Sequence, residues 1–336
     1  MKRILILCMC LLFLSTKSLA NTDVVLDKII EKDCSDLSEK LTEEVYDKNA
    51  NLVIVNEKKE SDIISALSFA YKNKAAILLI QNDGAYLKKE SPILKEVNRL
   101  KAKNVYIIGG PKSVSEEIAD NLKLSGLLVT RIDGRDRVEV SKNVIKENTN
   151  LNPTDTLVIS DLSNFNFIQA KMGYYLKNGY AITFVQGKKF DESITKFAID
   201  KGISNILIDQ PTSIISREYD EKLKQNGFKV TRNDYRSVYD ANYAQNSDIK
   251  YSKIIFTEYK DIRTSLLASY VSLQKNYVNI LVNEGNVDKT TNKLLTTSIQ
   301  NGVYIGKGED NFEKLAKKLD LYYKVEQKWQ FFNHFS

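Results

Sequence analysis

The chain has 336 residues, of which 27% are charged and 43% hydrophobic, with 49 lysines and arginines against 43 aspartates and glutamates. That length is enough for two or three compact units, and the mild positive excess permits an anionic partner without indicating nucleic acid. The only histidine, His334, is the third residue from the C-terminal end. Serine–histidine–aspartate triads, cysteine–histidine pairs and most catalytic zinc sites need a histidine inside the fold. We therefore predict no catalytic residue and no metal ligand, although a site built from carboxylates alone stays open, because 43 acids allow many pairings.

The first twenty residues have the layout of a secretory signal peptide. A positively charged start precedes the apolar run 4–14, and Ser18-Leu19-Ala20 ends the segment with a small-x-small pattern. The apolar run is well short of the roughly 20 residues that a membrane-spanning helix needs. We predict cleavage after Ala20 and export of a mature chain without a transmembrane segment. Cys34 is then the only cysteine, so no internal disulfide is possible and the fold rests on its core.

After this leader, short apolar runs alternate with segments of helical periodicity. The run Asn51–Val55 precedes the helix pattern 60–73, the run Ala75–Ile80 precedes the helix pattern 91–103, and the run Val105–Gly110 follows. Continuous apolar strands separated by helices are typical of a parallel sheet that is covered on both faces. The chain is therefore predicted to be an α/β protein.

The same order of strands and helices recurs about every 100 residues, which predicts three copies of one unit. We expect three tandem Rossmann-like βα repeats with mostly parallel sheets, each with its own core, packed together with pseudo-threefold symmetry. The predicted bounds are 1–20 for the signal peptide, 21–150 for the first repeat, 151–245 for the second repeat and 246–336 for a degenerate third repeat.

The register between the first two repeats is the most regular part of this pattern. Gly126–Arg135 and Gly227–Arg236 share six of ten residues at a spacing of 101, whereas Pro111 and Pro211 are 100 residues apart. One inserted residue in the loop of the second repeat accounts for the shift. On that alignment, the glycine pair of the first repeat is replaced by Asp209-Gln210.

The stretch 105–137 carries motifs that resemble the type 2 cell wall-binding repeat of clostridial surface proteins. An apolar strand ends in Gly109-Gly110, a helix start follows, and an Arg-x-x-Gly-x-Asp-Arg segment runs from Arg131 to Arg137. Ile77-Leu78-Leu79 matches that family's Ile-Leu-Leu strand motif. The family's repeats typically come in threes, and the resemblance covers about residues 22–325.

The resemblance implies an exported, non-catalytic protein at the cell wall or cell surface of a Gram-positive cell. Its partner is expected to be an anionic wall polysaccharide or teichoic-type polymer, bound non-covalently, with other surface-layer proteins as further partners and no nucleic acid. Because the repeats fill the chain, a structural or surface-coating role is also open.

The motif supplies the candidate polymer contacts. Arginine forks bind phosphate or carboxylate groups with two hydrogen bonds, and a glycine pair after a strand lets the backbone approach a ligand closely. The predicted ligand-binding residues are Arg131, Arg135, Arg137, Gly109, Gly110, Ile77, Leu78, Leu79, Arg232 and Arg236. A structural role is the alternative, since alternating arginine and aspartate around a glycine also suits a salt-bridged turn, and an Ile-Leu-Leu run also suits a core strand.

The second repeat departs from the motif, and this puts a second binding site in doubt. Gly134 of the first repeat is replaced by Tyr235, and Asp136-Arg137 is replaced by Ser237-Val238. The third repeat ends without an Arg-x-x-Gly segment. It keeps the Ile-Leu-Leu motif as Ile280-Leu281-Val282.

Two other functional classes are open. A nucleotide-fold enzyme would explain a glycine pair after a strand, but neither G-x-G-x-x-G nor G-x-x-x-x-G-K-[ST] is complete, so no cofactor is predicted. An exported solute-binding protein would close two α/β lobes on a small ligand. Threefold rather than twofold repetition argues against that class.

Overall fold

The computed structural model describes the chain over the ranges 25–31, 33–81, 91–149, 155–186, 188–248, 251–296 and 301–319. The predicted signal peptide and His334 lie outside the described residues. Within these ranges no helix combines the length and the apolar character needed to cross a membrane. The strands of the described residues form three sheets.

The first sheet is wholly parallel and follows a short N-terminal strand and helix. The elements are β1 (Val25–Ile30), α1 (Cys34–Glu43), β2 (Leu52–Asn56), α2 (Glu60–Asn73), β3 (Ala76–Ile80), α3 (Pro92–Leu100), β4 (Asn104–Ile108), α4 (Glu116–Leu124), β5 (Leu128–Ile132) and α5 (Arg137–Thr149). The strand order is β3-β2-β4-β5, with Leu52 paired to both Ala76 and Val105. Every side chain of β2 and β3 is buried, as expected for strands covered on both faces.

The second sheet repeats this arrangement. Its elements are β6 (Thr156–Asp161), α6 (Asn166–Lys177), β7 (Ala181–Val185), α7 (Glu192–Asp200), β8 (Asn205–Ile208), α8 (Glu218–Gln225), β9 (Lys229–Arg232) and α9 (Val238–Asn246). The strand order is β7-β6-β8-β9, again wholly parallel. The predicted α/β class with mostly parallel sheets is confirmed.

The third sheet is completed by the N-terminal strand of the chain. The elements that follow the second sheet are β10 (Ile254–Glu258), α10 (Ile262–Lys275), β11 (Val278–Asn283), β12 (Asn286–Val287), a 3₁₀ helix (Thr291–Thr296), β13 (Asn301–Gly306) and α11 (Glu309–Lys318). The sheet order is β1-β13-β10-β11-β12, and β1 pairs in parallel with β13. β1 thus occupies the position that β5 and β9 hold in the other two sheets.

The helix after each of these outer strands covers the open edge of the next sheet. Ser35 and Thr42 of α1 donate from their hydroxyls to the carbonyls of Leu79 and Ile77 at 2.7 and 2.8 Å. The N–H of Leu79 donates in turn to Ser38 Oγ at 2.9 Å. These side chains replace a neighbouring strand, which removes an exposed edge that could pair with another chain.

The equivalent contacts at the other two sheets come from α5 and α9. Ser141 of α5 shares a hydrogen bond of 2.9 Å with Thr183 of β7, and Asn242 of α9 accepts from the N–H of Leu281 in β11 at 3.1 Å. Each repeat therefore contacts the next one in a ring. β5, β9 and β1 are the outer strands of the first, second and third sheets, and the helix after each covers the open edge of the following sheet. The predicted repeat bounds stay a prediction. They assign β1 to the first repeat, although its hydrogen bonds lie in the third sheet.

The three helices α2, α6 and α10 pack against one another on the inner faces of the sheets. Tyr270 of α10 donates to the carbonyl of Ala75 at 2.7 Å and shares a hydrogen bond of 2.8 Å with Tyr46. The inner faces contribute to one continuous hydrophobic core that includes Val53, Val158 and Ile255. Each sheet also has a separate outer core. The expectation that each repeat has its own core thus holds for the outer layers only, because the inner layer is shared.

The predicted inserted residue in the second repeat is wrong. Asn104 pairs with Leu128 in the first sheet and Asn205 with Lys229 in the second, so the two repeats keep one spacing of 101 residues from β4 and β8 onward. Gly109 therefore corresponds to Gln210. The recurrence of Pro111 and Pro211 misled the alignment, because these prolines occupy different positions in their loops.

Candidate functional site

A groove lies between the first and second repeats, at the carboxyl ends of the strands of the second sheet. It has a volume of about 760 Å³. Its lining residues come from the start of α5 and from the loops after β6, β7 and β8: Asp136, Arg137, Val138, Asp161, Leu162, Ser163, Gln186, Lys188, Ser213 and Ile214. Ligands of open parallel sheets characteristically bind outside the carboxyl ends of the strands. We call this feature the inter-repeat groove.

The two carboxylates of the inter-repeat groove already accept backbone hydrogen bonds. Asp136 caps α5 by accepting the N–H of Glu139 at 2.9 Å, and Asp161 accepts the N–H of Ser163 at 2.8 Å. The two cations are Arg137, which is exposed, and Lys188. Neither cation forms an ion pair of 4.0 Å or less with another described residue. The groove therefore carries two carboxylates held by backbone hydrogen bonds and two cations that are not ion-paired with the described residues.

Arg131 lies on β5 and its guanidinium faces the protein. It donates to the carbonyls of Gly109 and Ser115 at 2.9 and 3.3 Å and pairs with Glu116 at 3.2 Å. Its side chain is only 13% exposed. These contacts tie the loop after β4 and the first turn of α4 to the outer strand, which is the structural role that the sequence left open.

Arg232 repeats these contacts in the second repeat. It donates to the carbonyls of Gln210 and Ser216 at 2.6 and 3.1 Å, and its Nε lies 3.1 Å from a carboxylate oxygen of Asp220. In the third sheet the equivalent position is Lys28 of β1, which pairs with Glu309 at the start of α11. All three repeats thus have a cation that joins the outer strand to the next helix. Sequence reasoning missed Lys28 because it precedes its sheet partner by most of the chain.

The remaining predicted arginines lie at the surface. Arg135 is 89% exposed and donates to Glu139 at 2.8 Å, and Arg236 is exposed. Among the ten predicted ligand-binding residues, only Arg137 lines the inter-repeat groove. Polymer contact by Arg131, Arg135 and Arg232 stays a prediction, and for Arg131 and Arg232 it competes with their contacts inside the protein.

The two predicted glycines differ in what they require. Gly109 has a φ of +108°, and a Cβ atom there would lie 3.0 Å from a carboxylate oxygen of Asp62, so both backbone and packing need glycine. A Cβ on Gly110 would meet nothing within 4 Å. Burial raises the pKa of Asp62 to about 6, while the charge of nearby Arg137 opposes that rise. Gly109 therefore serves the fold of the loop directly.

The predicted Ile77-Leu78-Leu79 contact is buried in β3. Its three side chains are 0 to 1% exposed, and α1 covers the backbone edge of the strand. The strand register places Asn279-Ile280-Leu281 at the equivalent positions of the third sheet, one residue before the predicted match. Polymer contact through these residues stays a prediction. The burial weighs toward the core-strand alternative.

Three carboxylates approach one another where α1 meets α3. Glu39, Glu43 and Glu96 each place an oxygen within 4.8 Å of the others. Arg99 donates to both oxygens of Glu96 at 2.6 and 2.8 Å, and Lys95 pairs with Glu39. Because each of the three carboxylates is already paired with Arg99 or Lys95, we assign no metal to the cluster.

A second cluster, in the second repeat, escaped the sequence analysis. Lys171 and Tyr175 of α6 surround Asp209, which directly follows β8. All three side chains are buried, although two of them carry ionisable charges. The signal in the sequence is the pair Asp209-Gln210, which resembles a degenerate copy of the glycine pair of the first repeat.

Comparison with known proteins finds a family model that matches the first part of the chain. Residues 29–119 match the family model described as cell wall binding domain 2 (CWB2). The chain is 26% identical over 280 residues to N-acetylmuramoyl-L-alanine amidase LytC from Bacillus subtilis (strain 168). The aligned region covers 83% of this chain and 55% of that protein. It is 24% identical over 241 residues to an amidase enhancer from the same organism, and that aligned region covers 71% of this chain and 32% of the enhancer.

Two solved structures share the fold. Cwp6 from Clostridium difficile superposes with a TM-score of 0.74 at 18% identity, over 85% of this chain and 46% of that one. Cwp8 from the same organism gives a TM-score of 0.74 at 21% identity, over 89% and 52%. The chain spans about half the length or less of the relatives it matches. The likeness to the two structures, at these identities, concerns the fold alone.

Proposed function

We propose that this chain is a member of the cell wall-binding repeat family, anchors non-covalently to an anionic polymer of the Gram-positive cell wall and catalyses no reaction. The observation that carries the proposal is the match of residues 29–119 to the cell wall binding domain. It supports a cell wall polymer as partner and a location at the cell wall or surface. Export by a signal peptide cleaved after Ala20 belongs to the same proposal.

The inter-repeat groove is the part of the surface that best suits such a polymer. Its volume of about 760 Å³ is open to one segment of a chain-like ligand, and its lining combines Arg137 and Lys188 with hydroxyl and amide groups. Arginine binds phosphate or carboxylate through two parallel hydrogen bonds. Because neither cation is ion-paired with another described residue, both can meet the anionic groups of a polymer, while backbone hydrogen bonds fix the positions of Asp136 and Asp161.

Co-sedimentation with isolated Gram-positive walls tests this proposal. Purified residues 21–336 are mixed with walls before and after acid has stripped the anionic polymers. We expect binding that is lost on stripping and weakened at least about tenfold by Arg137→Glu with Lys188→Glu, because each replaces a charge-assisted hydrogen bond with repulsion. Lys196→Glu is the matched control, since Lys196 is 81% exposed on α7. No binding to either wall preparation would overturn the proposal.

The absence of catalysis needs its own measurement, because one relative is an amidase. The chain spans 55% of that protein, so the amidase activity is not carried over. Release of soluble material from the same walls during the binding experiment is expected to equal that of a wall-only control. The packing of three central helices, rather than two lobes, weighs against the solute-binding alternative.

A further inference from the structure

The inner face of the second repeat contains a set of polar residues where the first repeat is apolar. The shared strand register aligns Asp209 with Ile108 and Asn233 with Ile132, and the paired helices align Lys171 with Ala66 and Tyr175 with Ala70. Tyr235 stands where the first repeat has Gly134. Five substitutions that meet in space indicate one polar site rather than scattered loss of the motif.

The contacts among these residues form one network. Tyr175 donates its hydroxyl to Asp209 Oδ1, and Asn233 donates to the same oxygen at 3.2 Å and to the Tyr175 hydroxyl at 3.1 Å. The Lys171 ammonium lies 5.0 Å from the ring centres of both Tyr175 and Tyr235. Its distance to Asp209 Oδ1 is 4.0 Å, which is too long for a hydrogen bond.

Two polar atoms of this network lack a hydrogen-bond partner among the described residues. Lys171 is 4% exposed, and its ammonium forms no hydrogen bond with any other described residue. Asp209 is fully buried, and its Oδ2 has no partner in the same part of the chain. Burying an ammonium without a hydrogen-bond acceptor costs free energy. We therefore expect a group from outside the chain to accept hydrogen bonds from the Lys171 ammonium. Burial lowers the pKa of Lys171 to about 8, against the opposing charge of Asp209.

Lys171 lines an open pocket of about 880 Å³ between α6, α9 and the outer strands of the second sheet. Three tyrosines, Tyr174, Tyr180 and Tyr235, also line it, together with Asn205, Asn233 and two further lysines, Lys177 and Lys229. Two carboxylates, Asp155 and Asp248, complete the charged lining, and Asp155 accepts from the amide of Asn205 at 2.8 Å, so three lysines face two acids. Tyrosine combines an apolar ring face with a polar tip, and the amides both donate and accept hydrogen bonds. That combination suits a ligand with an apolar ring face, a hydroxyl-rich edge and a negative charge.

We infer that this pocket, which we call the Lys171 pocket, binds an anionic sugar through a hydrogen bond from the Lys171 ammonium to a carboxylate or phosphate oxygen. The sugar ring packs against the tyrosines. The side-chain oxygens of Asn233 and Asn205 accept from its hydroxyl groups, because the amide nitrogens of both residues already donate to neighbours in the protein. The inference rests on the proposed function in that such a sugar is taken to be one unit of the wall polymer. It adds a second contact region, distinct from the inter-repeat groove, that only the second repeat provides.

Calorimetric titration of purified residues 21–336 tests the inference with small probes. N-acetylmuramic acid carries a carboxylate on a sugar and glucose 1-phosphate carries a phosphate. N-acetylglucosamine is the neutral comparison, and inorganic phosphate is the anion without a ring. We expect at least one of the two anionic sugars to bind at least about tenfold more tightly than the neutral sugar and than inorganic phosphate, because both the charge and the ring contribute.

The matched variant Lys171→Met with Asp209→Leu removes both buried charges at similar volume. A buried ion pair replaced in this way commonly costs little stability, so the variant is expected to fold. It should lose at least about tenfold in affinity for the anionic sugar, while Lys196→Met, on exposed α7, should lose none. Equal affinity of the variant and the parent chain would overturn the inference. So would the absence of binding to both anionic sugars, or equal binding of inorganic phosphate.

These outcomes are separable from the proposed function. Wall co-sedimentation by the parent chain reports on anchoring as a whole, whereas the sugar titration reports on the Lys171 pocket alone. A chain that binds walls but neither anionic sugar leaves anchoring in place and overturns the inference. A chain that binds the sugar but no walls does the reverse.

Discussion

The first and second repeats have the same strand order, and in both an arginine of the outer strand is hydrogen-bonded to the preceding loop and helix; we call this contact the arginine lock. Their inner faces differ, because the first is apolar and the second is polar. Arg131 and Arg232 donate to equivalent carbonyls at 109, 115, 210 and 216. Close to these locks, the first repeat buries Ile108 and the second buries Asp209. The comparison teaches that the fold depends on the lock and on the apolar strands, while the layer beside α2 and α6 is free to diverge when its residues change together.

Placing the charge of the second repeat in the first repeat should break the comparison most severely. Ile108→Asp would bury a carboxylate where the residue equivalent to Lys171 is Ala66, so no cation or donor is provided. We expect the free energy of unfolding to fall by at least about 4 kcal/mol. Urea unfolding followed by circular dichroism measures it, with Ile108→Val as a control that costs about 1 kcal/mol. A loss of less than 1 kcal/mol for the aspartate would mean that the first repeat tolerates the charge unaided.

The next largest effect should come from splitting the polar network of the second repeat. Asp209→Leu leaves the Lys171 ammonium buried without its counter-charge, which should cost about 3 kcal/mol. Adding Lys171→Met should restore the free energy of unfolding to within about 1 kcal/mol of the parent chain. If the two changes simply add, the pair is not coupled and the network is not a unit.

The arginine locks allow a comparison in which both repeats should respond alike. Arg131→Lys and Arg232→Lys keep the charge but lose the fork that reaches two carbonyls, at a cost of about 1 to 3 kcal/mol each. Arg232 should cost more because it also donates to Ile215, and because its partner Asp220 is 16% exposed whereas Glu116, the partner of Arg131, is 53% exposed. Wall co-sedimentation of both folded variants should be unchanged. Weaker wall binding with unchanged unfolding would return these arginines to the polymer site.

The sequence predicted the repeated architecture because buried parallel strands leave long apolar runs. Runs such as Asn51–Val55 keep that character in every copy, and the motif in 105–137 resembles the same family whose model matches residues 29–119. The exchange of β1 into the third sheet left no such signal, because Val25–Ile30 pairs with Asn301–Gly306 at the opposite end of the chain. Strand pairing at that separation depends on the ring as a whole.

The site was predicted less well, for a different physical reason. An arginine that donates to backbone carbonyls and an exposed arginine without such acceptors have the same letter and the same spacing. Only the acceptors distinguish Arg131 from Arg137, and backbone acceptors have no residue type. The Lys171 and Asp209 pair was invisible for a related reason. In the sequence, each residue alone resembles a substituted core or glycine position. The pair can be recognised only in the structure, where Lys171 Nζ lies 4.0 Å from Asp209 Oδ1.

The smallest expected effect is a pH dependence that both repeats share. Burial raises the pKa of Asp209 to about 6, and burial also raises the pKa of Asp62 in the first repeat to about 6. An unfolded aspartate has a pKa near 3.9. Between about pH 4 and pH 6 the folded chain therefore holds protons that the unfolded chain has released, so the free energy of unfolding falls as the pH rises.

Two variants divide this pH dependence between the repeats. Lys171→Met with Asp209→Leu should flatten the fall in the free energy of unfolding between pH 4 and pH 6 by about 1 to 2 kcal/mol, and Asp62→Asn should remove a similar share. Above about pH 8 the parent chain should regain stability as Lys171, with its pKa lowered by burial, releases its proton in the folded state before it does in the unfolded state. Urea unfolding at pH 4, 5, 6, 7 and 9 measures both limbs. If the slope between pH 4 and pH 6 were the same in all three proteins, neither buried carboxylate would be protonated by folding.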